Sequence, residues 1–177
     1  MGRPIFIADY DPAWPQLAAG FAEQLAVLGS TLLTVHHIGS TSVPGLPAKP
    51  IIDLIPVAIS LMELDRKQAK IEALGYWWRG ELGMPGRRYC SLDDEQGIRR
   101  VQLHFFAAGS PEIERHIAFR DYLRVHPEAA RAYEIEKRRA RELHPEDTQA
   151  YTDEKDAWIR STERLALAWA WRRAGAS

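Results

Sequence analysis

The stretch "HHIGSTSVPGLPAKPIIDLIPV", His36 to Val57, decides how the rest of the chain is read. The run Leu32 to Ile38 enters it and the run Ile51 to Val57 leaves it; both have the length and apolar content of strands. Between them Gly39, Pro44, Gly45, Pro47 and Pro50 break any regular structure, so a loop joins the two. That loop opens on Gly39-Ser40-Thr41-Ser42. A glycine after a strand lets backbone N–H groups approach a ligand with no Cβ in the way, and three hydroxyls follow it. Such a turn suits phosphate oxygens, and Lys49 could neutralise charge beside it. Asp53 stands alone in the second apolar run. A buried carboxylate is costly without a partner, and a divalent cation shared with the same phosphates would be one. The plain alternative is a turn-rich connection in which Asp53 is simply hydrogen-bonded.

Outward from the loop, Asp11-Pro12 opens a helix whose apolar positions Trp14, Leu17, Phe21, Leu25 and Leu28 recur every three or four residues until Gly29. A helix over about 61–74 ends at Gly75. Residues 76–78, 88–91 and 100–106 read as further strands, with Asp93-Asp94-Glu95-Gln96-Gly97 as the turn between the last two. Ser110-Pro111, Pro127 and Asp147 each begin a helix. The last of these carries a stripe of Tyr151, Lys155, Trp158, Thr162, Leu165 and Trp169. The pattern is α+β: a mixed sheet with flanking helices, then a helical C-terminal layer in the same single domain.

The 177 residues, 46% hydrophobic and 27% charged, are those of an ordinary globular chain. A formal net charge of −1 gives no global field for nucleic acid or an anionic membrane, although a small anion needs only a local basic cluster. Cys90 is the one cysteine, which leaves no intramolecular disulfide and fits a reducing cytoplasm. No segment reads as a membrane span or a signal peptide. The expectation is a cytoplasmic protein whose oligomeric state the sequence does not show.

Other polar residues stand out by position. Glu81 lies in the glycine-punctuated "RGELGMPGRRY", which ends in Arg87 and Arg88, two guanidinium groups suited to phosphate. His104 lies in the apolar strand "VQLHFF", in phase with Gln102, and His37 directly precedes the Gly-Ser turn. Arg120 is three residues from both Ile117 and Leu123, so its stem runs on an apolar helix face and its charge must be paired or aimed into a cleft. Lys137 and Lys155 follow the same argument. Arg87, Arg88, Arg120 and Lys155 are read as a basic ring around the loop.

"HIGSTSVPGLPAKPIIDL" resembles the signature of the GrpB family, and so do "YDPAWP", "GELGMPGRRY", "LHFF", "FRDYLRVHPEAARAYEIEK" and "AYTDEKDAWI". The resemblance implies a nucleotidyltransferase-like core, with Gly39, Ser40, Thr41 and Ser42 as phosphate site and Asp53 as metal ligand, Mg²⁺ being the expected ion. Superfamily enzymes usually place two acids one residue apart on this strand. Here those positions are Asp53 and Ile55, so Glu81 or His104 would complete the catalytic group. The expected reaction is Mg²⁺-dependent transfer of a nucleotidyl group from an NTP to a small acceptor. The alternative is a non-catalytic ligand-binding or chaperone-like accessory module that keeps the fold and binds a nucleotide or another small phosphorylated ligand.

Overall fold

The two apolar runs that flank the loop pair with each other. In the computed structural model, which describes residues 4–175, β1 (Leu32–Ile38) and β2 (Ile52–Ala58) are antiparallel neighbours, with Ile38 opposite Asp53. Residues 39–51 are therefore a long connection at one end of a strand pair. Beyond β2, α2 (Leu61–Asp65), α3 (Gln68–Ala73) and the short β3 (Trp77–Trp78) lead to the hairpin of β4 (Arg87–Asp93) and β5 (Arg99–Ala107). The five strands form one mixed sheet in the order β1-β2-β5-β4-β3, with β2 and β5 parallel and the other pairs antiparallel. The expected strands and their adjacency are all present. The helix expected over 61–74 is two short ones, α2 opened by a hydrogen bond from Glu63 N–H to the Ser60 hydroxyl.

Local chemistry accounts for the hairpin. The Asp94 carboxylate accepts the N–H groups of Gln96 and Ile98 at 3.0 and 2.8 Å, and Gly97 supplies a positive φ of 69°. The first helix, α1 (Trp14–Gln24), begins later than Asp11-Pro12: Asp11 accepts the Ala13 N–H at 2.8 Å and shapes the turn ahead of the helix.

Period-two alternation divides the sheet into two faces. Ile52, Leu54, Val101, Leu103, Phe105 and Cys90 face α1, α2 and α3, where Trp14, Ala18, Leu64 and Ile71, with Leu25 and Leu28 of the 3-10 helix Leu25–Thr31 that follows α1, complete the main core. Asp53, Ile55, Val57, Gln102, His104 and Phe106 alternate onto the other face. Its apolar part, Ile38, Ile55, Val57 and Phe106, is closed by Ile113 of α4 (Pro111–Val125).

Two more helices, α5 (Pro127–Leu143) and α6 (Thr148–Ala174), complete the C-terminal layer. Asp147 caps α6 by accepting the Ala150 N–H at 2.9 Å. Arg115 of α4 pairs with Glu163 of α6, Arg139 of α5 pairs with Glu154 of α6 at 2.7 Å, and Tyr133 stacks on Trp158 at 4.9 Å. The expected stripe of α6 drifts at its C-terminal end. Ala166 is buried and Leu165 is 57% exposed, because a 3.6-residue period carries the inward face past position 165. Among the described residues no helix is long and apolar enough to cross a membrane.

Leu165→Ala is therefore expected to change unfolding free energy by less than about 0.5 kcal/mol. Leu103→Ala, at a fully buried position, should cost about 2–5 kcal/mol. Urea unfolding of the two variants checks the pair.

Candidate functional site

Gly39 is where the loop is forced into its path. Its φ is 73°, and a Cβ built there would lie 2.8 Å from Asp53 Oδ2, so the turn crosses directly over the acid with nothing between them. The loop is then tied by its own carbonyls. Arg124 donates to Ser42 O at 2.9 and 2.8 Å, Arg120 donates to His37 O at 3.1 Å, and the buried Lys137 ammonium donates to Pro47 O. On its other side Ala48 exchanges both backbone hydrogen bonds with Ala8 at 2.9 Å. The loop is thus clamped between the N-terminal segment and the C-terminal helices.

Below the turn is a cavity of about 190 Å³, lined by Gly39, Ser40, Lys49, Ile51, Asp53 and Gln102 from the sheet side and by Tyr133, Lys137, Tyr151 and Lys155 from α5 and α6. Three of these are lysines, and the only acid among them is Asp53. Lys137 is 3% exposed; its ammonium lies 3.3 Å from Ser40 Oγ and 4.8 Å from the centre of the Tyr133 ring. Lys155 is 8% exposed and stands 3.8 Å above the Tyr151 ring, with Lys49 5.0 Å from the same ring. Tyrosine faces attract these cations at closer range than any carboxylate. Burial, reinforced by the Lys155 charge, brings Lys137 down to about 7; burial and the Lys49 charge bring Lys155 down to about 7, against the pull of Asp53 and Glu136. Burial also lowers Lys49, and lifts the Tyr133 phenol to about 12 although Ser40 bonds to it.

Asp53 Oδ1 is 3.3 Å from His104 Nε2, and both side chains keep some exposure. Tyr89 packs edge-on against the His104 ring at 5.4 Å, and its hydroxyl accepts from Arg99 at 2.9 Å.

The candidate residues do not all meet. Gly39, Ser40, Lys49, Asp53 and Lys155 share the cavity, and His104 adjoins it through Asp53. Thr41 and Ser42 do not offer hydroxyls to it. They are 1% and 3% exposed, Thr41 bonding His37 Nε2 at 2.9 Å and Ser42 bonding Gly39 O at 2.5 Å. His37, brought down to about 4 mainly by burial, is thereby part of the turn's framework. Glu81 is elsewhere: its carboxylate accepts the Gly86 N–H at 2.8 Å and fixes its own loop. Arg87 donates to the carbonyls of Glu81 and Leu82 in that loop. Arg88 does not reach the cavity and lies 3.5 Å from the Glu81 carboxylate. It is in phase with Cys90 on the opposite face and forks onto Asp65 at 2.7 and 2.9 Å. Arg120 braces His37 O and pairs with Asp121 at 2.7 Å. The basic ring expected from Arg87, Arg88, Arg120 and Lys155 is instead a lysine trio.

The expected Mg²⁺ finds little to hold it. Among the described residues no three His, Cys, Asp or Glu side chains come together around one point. Position 55, where a second acid would project beside Asp53, is an isoleucine with no exposure, packed among Ile38, Val57 and Phe106. One carboxylate facing three ammonium groups does not fit a resident metal site, and still less a pair of ions.

A family model described as GrpB protein matches residues 4–164. The chain belongs to the GrpB family. The UPF0157 protein YqkA of Bacillus subtilis strain 168 is 37% identical over 168 residues, 94% of this chain but 48% of that protein. The chain therefore spans about half the length of that relative. The crystal structure of GrpB from Enterococcus faecalis superposes with a TM-score of 0.87 at 38% identity, covering 94% of this chain and 99% of that one. A mutant Cid1 poly(U) polymerase bound to MgATP matches with a TM-score of 0.50 at 12% identity, over 70% of this chain and 39% of that one. This second likeness is one of fold, and it makes the GrpB chain nucleotidyltransferase-like in architecture.

Two measurements follow from the site. Gly39→Ala should cost about 1–3 kcal/mol, because the side chain meets Asp53 and an L-residue is strained at that φ; chemical denaturation reads it. The second is pH dependence. Lys137 and Lys155 titrate at about 7 when folded and near the ordinary lysine value of 10.5 when unfolded. Between these values the unfolded chain holds more protons, so stability rises with pH across that window and is lower below it. The melting temperature of the ligand-free protein should climb from about pH 7 to about pH 9, and Lys155→Met should remove about half of the climb.

Proposed function

We propose that the GrpB chain binds a nucleotide by its phosphate chain in the cavity beneath the Gly39-Ser40 turn. The observation that carries this reading is the lysine trio: Lys49, Lys137 and Lys155 converge on one small cavity that contains a single acid. Cations buried without counter-charges are destabilising on their own, and an anion is what they lack. The cavity is smaller than the roughly 300–1,000 Å³ of typical small-molecule sites, so it suits the charged end of a ligand, with the nucleoside extending outward. Ser40 offers a hydroxyl and Gly39 a backbone approach free of Cβ. The nucleotidyltransferase-like fold is compatible with a nucleotide as the ligand.

A second reading, transfer of the nucleotidyl group to a small acceptor, is favoured by the Asp53–His104 pair at 3.3 Å. In that reaction an acceptor hydroxyl oxygen forms the new bond to the α-phosphorus, and the bond to the β-phosphate oxygen breaks. Pyrophosphate would leave onto the lysines, and the hydroxyl proton would pass to the Asp53–His104 pair.

The test compares ATP, GTP, CTP and UTP with their nucleosides by thermal shift and calorimetry. At least one triphosphate should raise the melting temperature of the wild type while its nucleoside does not, and Lys155→Gln should weaken binding about tenfold. If no triphosphate binds, the nucleotide reading falls. If the triphosphate binds but labelled α-phosphate never reaches a panel of hydroxyl acceptors, binding without transfer is the function.

A further inference from the structure

We propose that the cavity takes its ligand as a free polyphosphate anion, without magnesium, because the ammonium groups of Lys49, Lys137 and Lys155 fill the charge-neutralising role that metal ions fill in two-metal phosphoryl-transfer sites. The inference rests on the reading that the cavity binds a phosphate chain, and it specifies the ionic form of that chain.

The argument starts from the positions on the sheet face that would carry acids. Asp53 is one. Two residues along the same strand, Ile55 is sealed into an apolar cluster with Ile38, Val57 and Phe106. On the neighbouring parallel strand the residue in register with Asp53 is Gln102, and the next residue on that face is His104. An amide and an imidazole stand where further carboxylates would have to be, and neither supplies the negative charge a hard dication requires.

The opposite wall carries the compensating charge. Lys137 and Lys155 project from two different helices, each one turn beyond a tyrosine of its own helix, and Lys49 projects from the loop toward the Tyr151 ring that also carries Lys155. None of the three has a carboxylate within ion-pair distance among the described residues, although arginine–carboxylate pairs such as Arg66–Glu63 and Arg160–Asp156 occur elsewhere among them. A magnesium ion entering with the ligand would meet three like charges, two of them on side chains less than a tenth exposed, where repulsion is weakly screened. A bare polyphosphate meets the reverse. The sign of the field at the site therefore selects the metal-free anion, and Asp53 becomes a group that opposes the ligand's charge and limits its affinity.

This assignment gives Asp53→Asn an outcome opposite to that of a metal ligand. The experiment is calorimetric titration of inorganic tripolyphosphate into the full chain at mildly acid pH, where the three ammonium groups are charged. One titration contains EDTA and the other contains magnesium in excess over the tripolyphosphate. Binding is expected in EDTA, unchanged or weakened by magnesium. Asp53→Asn should tighten it by about fivefold, since a like charge is removed at nearly constant size, and Lys155→Gln should weaken it by about tenfold. Binding that needs magnesium, or is tightened by it, overturns the inference while leaving the nucleotide reading standing; so does loss of binding in Asp53→Asn with an unchanged melting temperature. Absence of tripolyphosphate binding in both titrations overturns both. The comparison of EDTA with magnesium uses the wild type, so it decides the matter even where a variant fails to fold.

Discussion

Burying an ammonium group without an anion beside it is the constraint on which the rest of this structure turns. Lys137 is as thoroughly enclosed as the apolar core, and the groups in direct contact with its ammonium are dipoles and a π face: Pro47 O, the Ser40 hydroxyl and the Tyr133 ring. Each of these sits on a different element. The carbonyl belongs to the long loop, the hydroxyl to the turn that opens it, and the ring to the same helix as the lysine. For the cation to be tolerated at all, the loop must lie where it does and α5 must pack against it. The same interaction that makes the cavity electropositive therefore also fixes its walls.

The rest of the helical layer repeats this logic at lower cost. Arg124 and Arg120 of α4 reach the backbone carbonyls of Ser42 and His37, at the loop's first turn and just ahead of it. Neutral carbonyls paired with guanidinium groups satisfy the backbone without adding negative charge near the cavity. The acids that hold the helices to one another, Glu154 and Glu163, pair with Arg139 and Arg115 instead. Cohesion of the layer and charge of the cavity are kept in separate places. An acid that paired with Lys137 or Lys155 would stabilise the protein and remove the cavity's excess positive charge.

Most of the fold was legible because its elements are bounded by residues with fixed local preferences. Gly39, Gly97, Ser110-Pro111, Pro127 and Asp147 mark ends that the structure keeps, and the strands between them alternate with period two. That same period would have removed Arg88 from the candidate site, since it is in phase with the core residue Cys90 and not with Tyr89. Glu81 and Arg87 were chosen for their charge; what they serve is the backbone of a glycine-rich loop, which only coordinates reveal. Gln102, Tyr133 and Tyr151 line the cavity without standing among the candidate site residues, yet for the tyrosines a local signal exists. "YEIEK" at 133–137 and "YTDEK" at 151–155 place a tyrosine and a lysine one helical turn apart. What no spacing discloses is that α5 and α6 aim the two pairs into one cavity from separate helices.

The fold is nucleotidyltransferase-like, and its cavity is lined by three lysines and one acid. Where phosphoryl transfer uses two metals, carboxylates hold the ions that neutralise the phosphate oxygens. Here one carboxylate remains, it contacts an imidazole, and the positive charge is covalently attached to the protein. Ammonium groups cannot orient two oxygens as a shared ion does, so a reaction at this site would depend on the turn at Gly39 for geometry and on the lysines for charge. Those two duties meet at Ser40, whose backbone follows Gly39 and whose hydroxyl touches Lys137. In the proposed binding mode Ser40 would couple the position of a ligand to the protonation of a buried lysine: an anion held there would raise the proton affinity of Lys137 and draw a proton into the protein as it binds.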